Sequence, residues 1–294
     1  MSSMVPVRSS VPALGLAAAL VPFVVTLAAC DDNRKASEQA AVDELGKLAP
    51  VLKEDVAQVR RGLPEGAAKL GPMLDKDTLG DNAALRKAIV RARAGVKDLE
   101  VAKSTFFSYA DGDGKILRSE ADPDVLADKS ILASFPGLKK ALGPTGSVAE
   151  VYADMRDLHM AKTGPDLIWA VAAPVKDDKG QPHGMFVTGW SLRALAYHLE
   201  TSAKMTLIEL SEKQGKKHPP LVYVYVVKGK TAYGPPGMPE VNAKAVEDAD
   251  LLGKTAGGAY HGNLEITGRA FGIAGVRVPE MGDDAALAVI ASAF

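Results

Sequence analysis

Phe106-Phe107-Ser108-Tyr109-Ala110-Asp111-Gly112-Asp113-Gly114-Lys115-Ile116 is the stretch that decides the fold of this 294-residue chain. Aromatic and small residues lead into four alternating Asp and Gly residues, and an aliphatic segment returns. Aromatic side chains suit a pleated, half-buried strand, and Asp-Gly steps supply the backbone freedom of a tight turn. Thr105–Tyr109 and Lys115–Ser119 therefore read as the two arms of a hairpin joined through Asp111–Gly114.

Downstream, a polar helical segment is expected from about Asp122 to Leu142, ending at Gly143-Pro144. Three strands follow at Ala149–His159, Leu167–Val175 and Met185–Trp190, then a long helix from Ser191 to about Gln214. The same order recurs: a hairpin from Leu221–Val227 and Thr231–Tyr233, a helix over Val241–Leu252, and strands near Ala259–Thr267, Ala270–Val278 and Ala285–Ala293. Trp169–Leu192 and Phe271–Phe294 correspond best, each being an apolar strand, a turn with Pro and Gly, and a second apolar strand. This is a weak internal repeat of about eighty to ninety residues. Upstream of the hairpin, Val42, Leu45, Leu48, Val51, Leu52, Val56 and Val59 recur at helical spacing, with breaks expected at Gly62-Leu63-Pro64 and Gly71-Pro72. A second helical stretch covers Asn82–Val101.

At the amino end, Arg8 is the only charge ahead of an uncharged run from Ser9 to Ala29. A short positive segment before an apolar one is the order of an export signal. Leu27-Ala28-Ala29-Cys30 resembles the lipobox of bacterial lipoprotein precursors, which implies cleavage before Cys30 and lipidation of its thiol. An uncleaved membrane helix is the alternative, since the run is just long enough to span roughly 30 Å of hydrocarbon; Pro12 and Pro22 weaken it. Localisation at the cell envelope follows, on the inner or outer membrane, facing the periplasm or exterior. Loss of residues 1–29 removes one arginine and no acid, leaving 34 basic against 36 acidic residues. No basic field exists to recruit nucleic acid. Cys30 is the only cysteine, so no internal disulfide is available and stability must come from packing.

The hairpin stretch, together with Trp169-Ala170-Val171-Ala172-Ala173-Pro174-Val175-Lys176-Asp177, Gly180 and Gly184-Met185-Phe186-Val187, resembles the Cache family of extracytoplasmic sensor domains. The likeness covers residues 80–200 well and 215–294 loosely. It implies an α+β fold: an N-terminal helical stalk, then two tandem PAS-like units, each a five-stranded antiparallel sheet with flanking helices. The expected divisions are 1–29 signal peptide, 30–103 stalk, 104–200 first unit and 201–294 second unit. The resemblance also implies a small-molecule pocket between the sheet and the segment bridging its second and third strands, here Ala121–Ser147. Family members feed a kinase, cyclase or chemotaxis module; this chain is expected to carry no output domain and to signal through a separate protein.

Within the first unit, alternation along Val151–Met160 sends Tyr152, Asp154, Arg156 and Leu158 to one face. If that face lines the pocket, Arg156 holds a carboxylate through a bidentate pair, Asp154 an amine, and Tyr152 and Trp169 form apolar walls. The same face reads equally as an exposed edge, or as Asp154 pairing with Arg156. The run of tyrosine, arginine and tryptophan with which related sensors bind amino acids is not present.

Other motifs point away from chemistry. Setting Gly114 on the glycine of a calcium loop leaves Tyr109 at the first ligand position, where a carboxylate is needed, and strands rather than helices flank it. Histidines 159, 183, 198, 218 and 261 show no close pair at metal-ligand spacing, so no metal or other cofactor is expected. Gly253-Lys254-Thr255 lacks the earlier glycine of a phosphate loop, and Gly189–Arg193 lacks the second glycine of a nucleophile elbow. The expectation is a non-enzymatic, lipid-anchored sensor, or alternatively an envelope scaffold that binds only protein.

Overall fold

The computed structural model describes residues 22–216 and 218–293, with side chains from residue 32 onward. Most of the expected signal segment, and the Cys30 side chain, lie outside the described residues. Among the described residues, no helix is long and apolar enough to cross a membrane.

Helix α1 (Pro22–Leu70) runs unbroken through Pro50 and Pro64, where the sequence predicts a break at the second. An internal proline forfeits a backbone N–H and costs about 3 kcal/mol. Against that stands the stripe Leu52, Val56, Val59, Leu63, Ala67 and Leu70, each at most 1% exposed. Burial of each large member contributes roughly 1.5–3 kcal/mol, so packing overrides the local break. Gly66 serves this packing directly, since a Cβ there would stand 2.6 Å from Leu99 Cδ1 and 2.9 Å from Phe186 Cε1. After a short 3-10 turn at Gly71–Met73, helices α2 (Lys76–Gly80), α3 (Asn82–Ala94) and α4 (Lys97–Val101) follow, the last two packing on α1. Asp75 and Asp81 cap α2 and α3 by accepting backbone N–H bonds.

The quoted stretch forms β1 (Phe106–Asp111) and the start of β2 (Ile116–Ser119). Asp111 closes their turn by accepting from the N–H groups of Asp113 and Lys115 at 3.0 and 2.9 Å. The expected helix over Asp122–Leu142 is largely irregular, containing only α5 (Ile131–Ser134) and a 3-10 stretch at Pro136–Leu142. Asp124 explains its start: the carboxylate accepts from the N–H groups of Ser119, Leu126 and Ala127, offering the backbone an alternative to helix. Strands β3 (Ala149–Ala153), β4 (Ile168–Lys176) and β5 (Pro182–Ser191) complete an antiparallel sheet of order β2-β1-β5-β4-β3.

Helix α6 (Leu192–Lys213) leads to β6 (Val222–Lys228), β7 (Thr231–Tyr233), α7 (Glu240–Asp248), α8 (Leu251–Lys254), β8 (Tyr260–Ile266), β9 (Arg269–Arg277) and β10 (Ala285–Ala291). The second sheet has the order β7-β6-β10-β9-β8, the same as the first. The weak repeat is thus a repeat of topology, and the α+β architecture of two PAS-like sheets behind a long helix is the observed one. Helix α1 lies across both sheets, and one continuous core joins its stripe to Trp169, Val171 and Phe186 of the first and to Val224, Ala274 and Val289 of the second. The opposite face of each sheet is covered by its own bridging segment.

Candidate functional site

The strand expected over Val151–Met160 ends at Ala153, and Arg156–Leu158 is a 3-10 turn. The reason is local: Asp154 turns back to His159 Nε2 at 2.5 Å, and β3 has register partners on β4 only as far as Ala153–Ile168. Asp154 and Arg156 are exposed and leave the sheet. Tyr152 and Trp169 are partners across β3 and β4, and both face α1, whereas Val151 faces the bridging segment. The four residues expected to line one pocket are therefore not brought together.

Tyr152 and Trp169 instead belong to a polar junction between the sheets. Trp169 packs on Trp190 with ring centroids 4.4 Å apart and donates its indole N–H to Glu150 at 3.4 Å. Glu150 receives Arg60 of α1 through both Nε and Nη2, at 2.7 and 2.8 Å, and Arg60 also donates to the Glu280 carbonyl of the second unit at 2.6 Å. Lys228 of β6 sits 4.2 Å over the Tyr152 ring. Burial raises the Tyr152 phenol above its usual range, and the Glu150 carboxylate acts in the same sense.

The expected pocket of the first unit is nearly full. Leu126, Ile131, Phe135 and Leu138 of the bridging segment, none more than 3% exposed, fill the outer face of the sheet. What remains is a cavity of about 230 Å³ beside Phe106, Leu126 and Met160.

A roomier site lies where the units meet. Between β3 and β4 the chain passes over the start of α6, held by Asp166, which is 7% exposed and accepts from Met160 N–H, Leu167 N–H and Ser191 Oγ. Ser191 in turn caps α6 by accepting from Ala194 N–H. Arg193 Nη1 donates to the Thr163 carbonyl at 2.8 Å. Gly164 suits the turn there, its φ of +84° lying in the region that favours glycine. Between this loop and the second sheet opens a cleft of about 690 Å³, lined by Pro165, Arg193, Tyr225, Tyr233, Met238 and Lys244 among others. Its size and largely apolar walls suit a small organic ligand.

Two phenols set its chemistry. Tyr225 of β6 is fully buried, with its hydroxyl beside the buried Asn242 side chain of α7. Burial raises it above the ordinary tyrosine range, with the Glu200 carboxylate acting in the same direction. Tyr233 is raised by burial and by the Asp166, Glu247 and Asp154 carboxylates, with a hydrogen bond to Thr231 opposing. Sequence reasoning passed over Arg193 and Tyr225. Tyr223 and Tyr225, two apart on one strand, were the available sign that one face of β6 is aromatic.

A larger cleft, of about 960 Å³, borders the end of α1, with Asp75, Asp177 and His183 in its lining. Two of its acids are already committed, Asp75 to Thr78 N–H and Asp177 to the N–H groups of Lys179 and Gln181. No cluster of three or more His, Cys, Asp or Glu able to hold a metal occurs among the described residues.

No family model matches the chain, and no curated protein matches it. Solved structures do. The domain of a sensory box/GGDEF family protein from Vibrio parahaemolyticus is 13% identical, with a TM-score of 0.53 over 89% of this chain and 97% of that one. The extracellular domain of a histidine kinase is 12% identical, with a TM-score of 0.54 over 89% of this chain and 93% of that one. An extracellular ligand binding receptor from Desulfohalobium retbaense is 12% identical at a TM-score of 0.49, and this chain spans 39% of its length. The first two likenesses show that this fold is shared with those two domains.

Proposed function

We propose that the protein is a lipid-anchored, extracytoplasmic ligand-binding sensor without enzymatic activity, which passes its signal to a partner protein. The observation that carries this reading is the seam cleft, a concave, largely apolar site with two tyrosines and a guanidinium, contributed by both units. A ligand seated there draws the Thr163–Pro165 loop of the first unit toward α7 of the second. Helix α6 links the two, since Arg193 holds the loop and Glu200 accepts from Val224 N–H of β6 at 3.2 Å. Binding that favours the closed seam shifts the population of the whole helix layer. The extracellular and sensor domains with this fold support the reading.

Anchoring through Cys30 fits the geometry of α1. Ser37 Oγ accepts from Ala293 N–H at 2.8 Å, and Glu38 accepts from Asn263 Nδ2 at 2.8 Å, so the start of α1 is pinned to the second sheet. Cys30 lies about 10 Å further along the helix at 1.5 Å per residue, which puts the second sheet nearest the membrane. Cys30→Ala is expected to abolish incorporation of labelled palmitate and release the protein from the membrane fraction; retention of label on the variant rejects the anchor.

The sensor reading is tested by thermal unfolding of the purified protein against a metabolite library. A ligand at 100 times its Kd stabilises the fold by about 2.7 kcal/mol. A shift that Tyr225→Phe weakens supports it. A scaffold reading draws on α6, which exposes Tyr197, Met205 and Ile208 by 49, 57 and 39%. A silent library together with loss of partner capture by Tyr197→Ser/Met205→Ser favours the scaffold.

A further inference from the structure

We infer that the seam cleft takes an apolar monocarboxylate, its carboxylate held by the Arg193 guanidinium and its apolar body by Tyr225, Tyr233 and Met238. The inference rests on the sensor reading and sharpens it to a ligand class.

Arginine presents a planar fork whose Nε and Nη2 donors match the two oxygens of a carboxylate. This chain uses that edge repeatedly. Arg60 holds Glu150 with Nε and Nη2 at 2.7 and 2.8 Å, and Arg61 holds Asp98 with the same pair at 2.9 and 3.2 Å. Arg193 has spent only Nη1, on the Thr163 carbonyl. Its Nε is buried with no hydrogen-bond partner, and among the described residues Arg193 belongs to no ion pair. A cation without an ionic partner, set against apolar walls, favours an anion in the cleft.

The neighbours restrict the anion to one charge. Lys244, the other cation of the lining, is paired with Asp248 at 3.0 Å. Glu240 and Glu247 border the same cleft, and Glu247 already accepts from Ala232 N–H at 3.0 Å. A dianion would meet one free cation and two carboxylates. Beyond the guanidinium the walls are Pro165, Pro235, Met238 and Val241 with the faces of the two tyrosines, which reward an apolar or aromatic body.

The test compares 3-phenylpropionate with 3-phenylpropanamide, equal in shape but differing in charge, by calorimetric titration and thermal shift of the purified protein. The acid is expected to bind at least tenfold more tightly than the amide. Arg193→Gln should weaken the acid by tenfold or more and the amide much less, through the loop alone. Arg193→Lys, which keeps the charge and loses the fork, should recover only part of the affinity; its unliganded melting temperature shows whether the loop contact to Thr163 has merely collapsed. Equal binding of acid and amide overturns the carboxylate assignment and leaves the cleft as a binding site. Silence to both compounds, with a Tyr225-dependent response to another library member, also overturns the ligand class alone. Silence to every compound removes the class and the sensor reading together.

Discussion

The two sheets share one strand order yet differ in what their bridging segments place on the outer face. In the first unit Leu126, Ile131, Phe135 and Leu138 insert between segment and sheet, and a cavity of only about 230 Å³ survives. In the second, Val246, Ala249 and Leu251 do the covering, the stretch ahead of α7 is rich in Pro and Gly, and about 690 Å³ stays open. Identical topology therefore leaves binding capacity undecided. It is set by side-chain volume on the bridge, because interiors fill to crystal-like density wherever large apolar groups are available.

The widest gap between the units should appear on truncating a bridge residue. Phe135→Ala removes a fully buried ring and is expected to cost about 3–5 kcal/mol, whereas Met238→Ala, half-buried at the rim of the open cleft, should cost under about 1.5 kcal/mol. Urea denaturation of both variants decides it, and equal costs would mean that the first bridge is no better packed than the second.

A smaller effect is expected in the helix layer that both units share. Asp55 of α1 is 6% exposed, 3.5 Å from His198 Nε2 of α6, and burial pushes its carboxyl up to about 6, with Lys103 opposing and Glu54 assisting. The folded chain thus keeps a proton that the unfolded chain releases near pH 4, so stability falls as pH rises from about 4 to 6 and stays reduced above. His198 is lowered by burial and by Lys103, so its own contribution rises with pH just below its usual value and partly masks the fall. Asp55→Asn should gain about 2 kcal/mol at pH 7 and nothing at pH 4. A gain that is the same at both pH values would rule out titration of Asp55 as its source.

The smallest effect concerns the contact between the units. Arg60 and Glu150 are partly exposed, and such bidentate pairs contribute about 1 kcal/mol. Glu150→Gln should cost little overall, yet it loosens Arg60 from both Trp169's neighbour and the Glu280 carbonyl. Scanning calorimetry should then show a broadened or split transition; a single unchanged transition would show that α1 alone couples the units.

Legibility of the fold followed the locality of its signals. The hairpin at Asp111–Gly114, the strands flanking Lys176–Gly180 and the helix capped by Ser191 depend on neighbouring residues and were all readable within two or three positions. The breaks expected at Pro64 and the helix expected over Asp122–Leu142 went otherwise because distant partners outweighed local preference: Leu99 and Phe186 hold α1 straight, and Asp124 captures three backbone N–H groups. The candidate site was harder. Tyr152 and Trp169 were correctly placed on one face of one sheet, but period-two alternation says which residues share a face, not what covers it.

What the sequence determined by itself is the order of helices and strands, the twofold repeat, and the pairing of polar with apolar positions along each element. Only the tertiary structure decided that α1 covers the face bearing Tyr152 and Trp169, that the first bridge fills its own pocket, and that Arg193 meets Tyr225 across a seam. Element order is written in short-range periodicity and turn chemistry; a site assembled from residues 165, 193, 225 and 238 exists only once both sheets are packed on one helix.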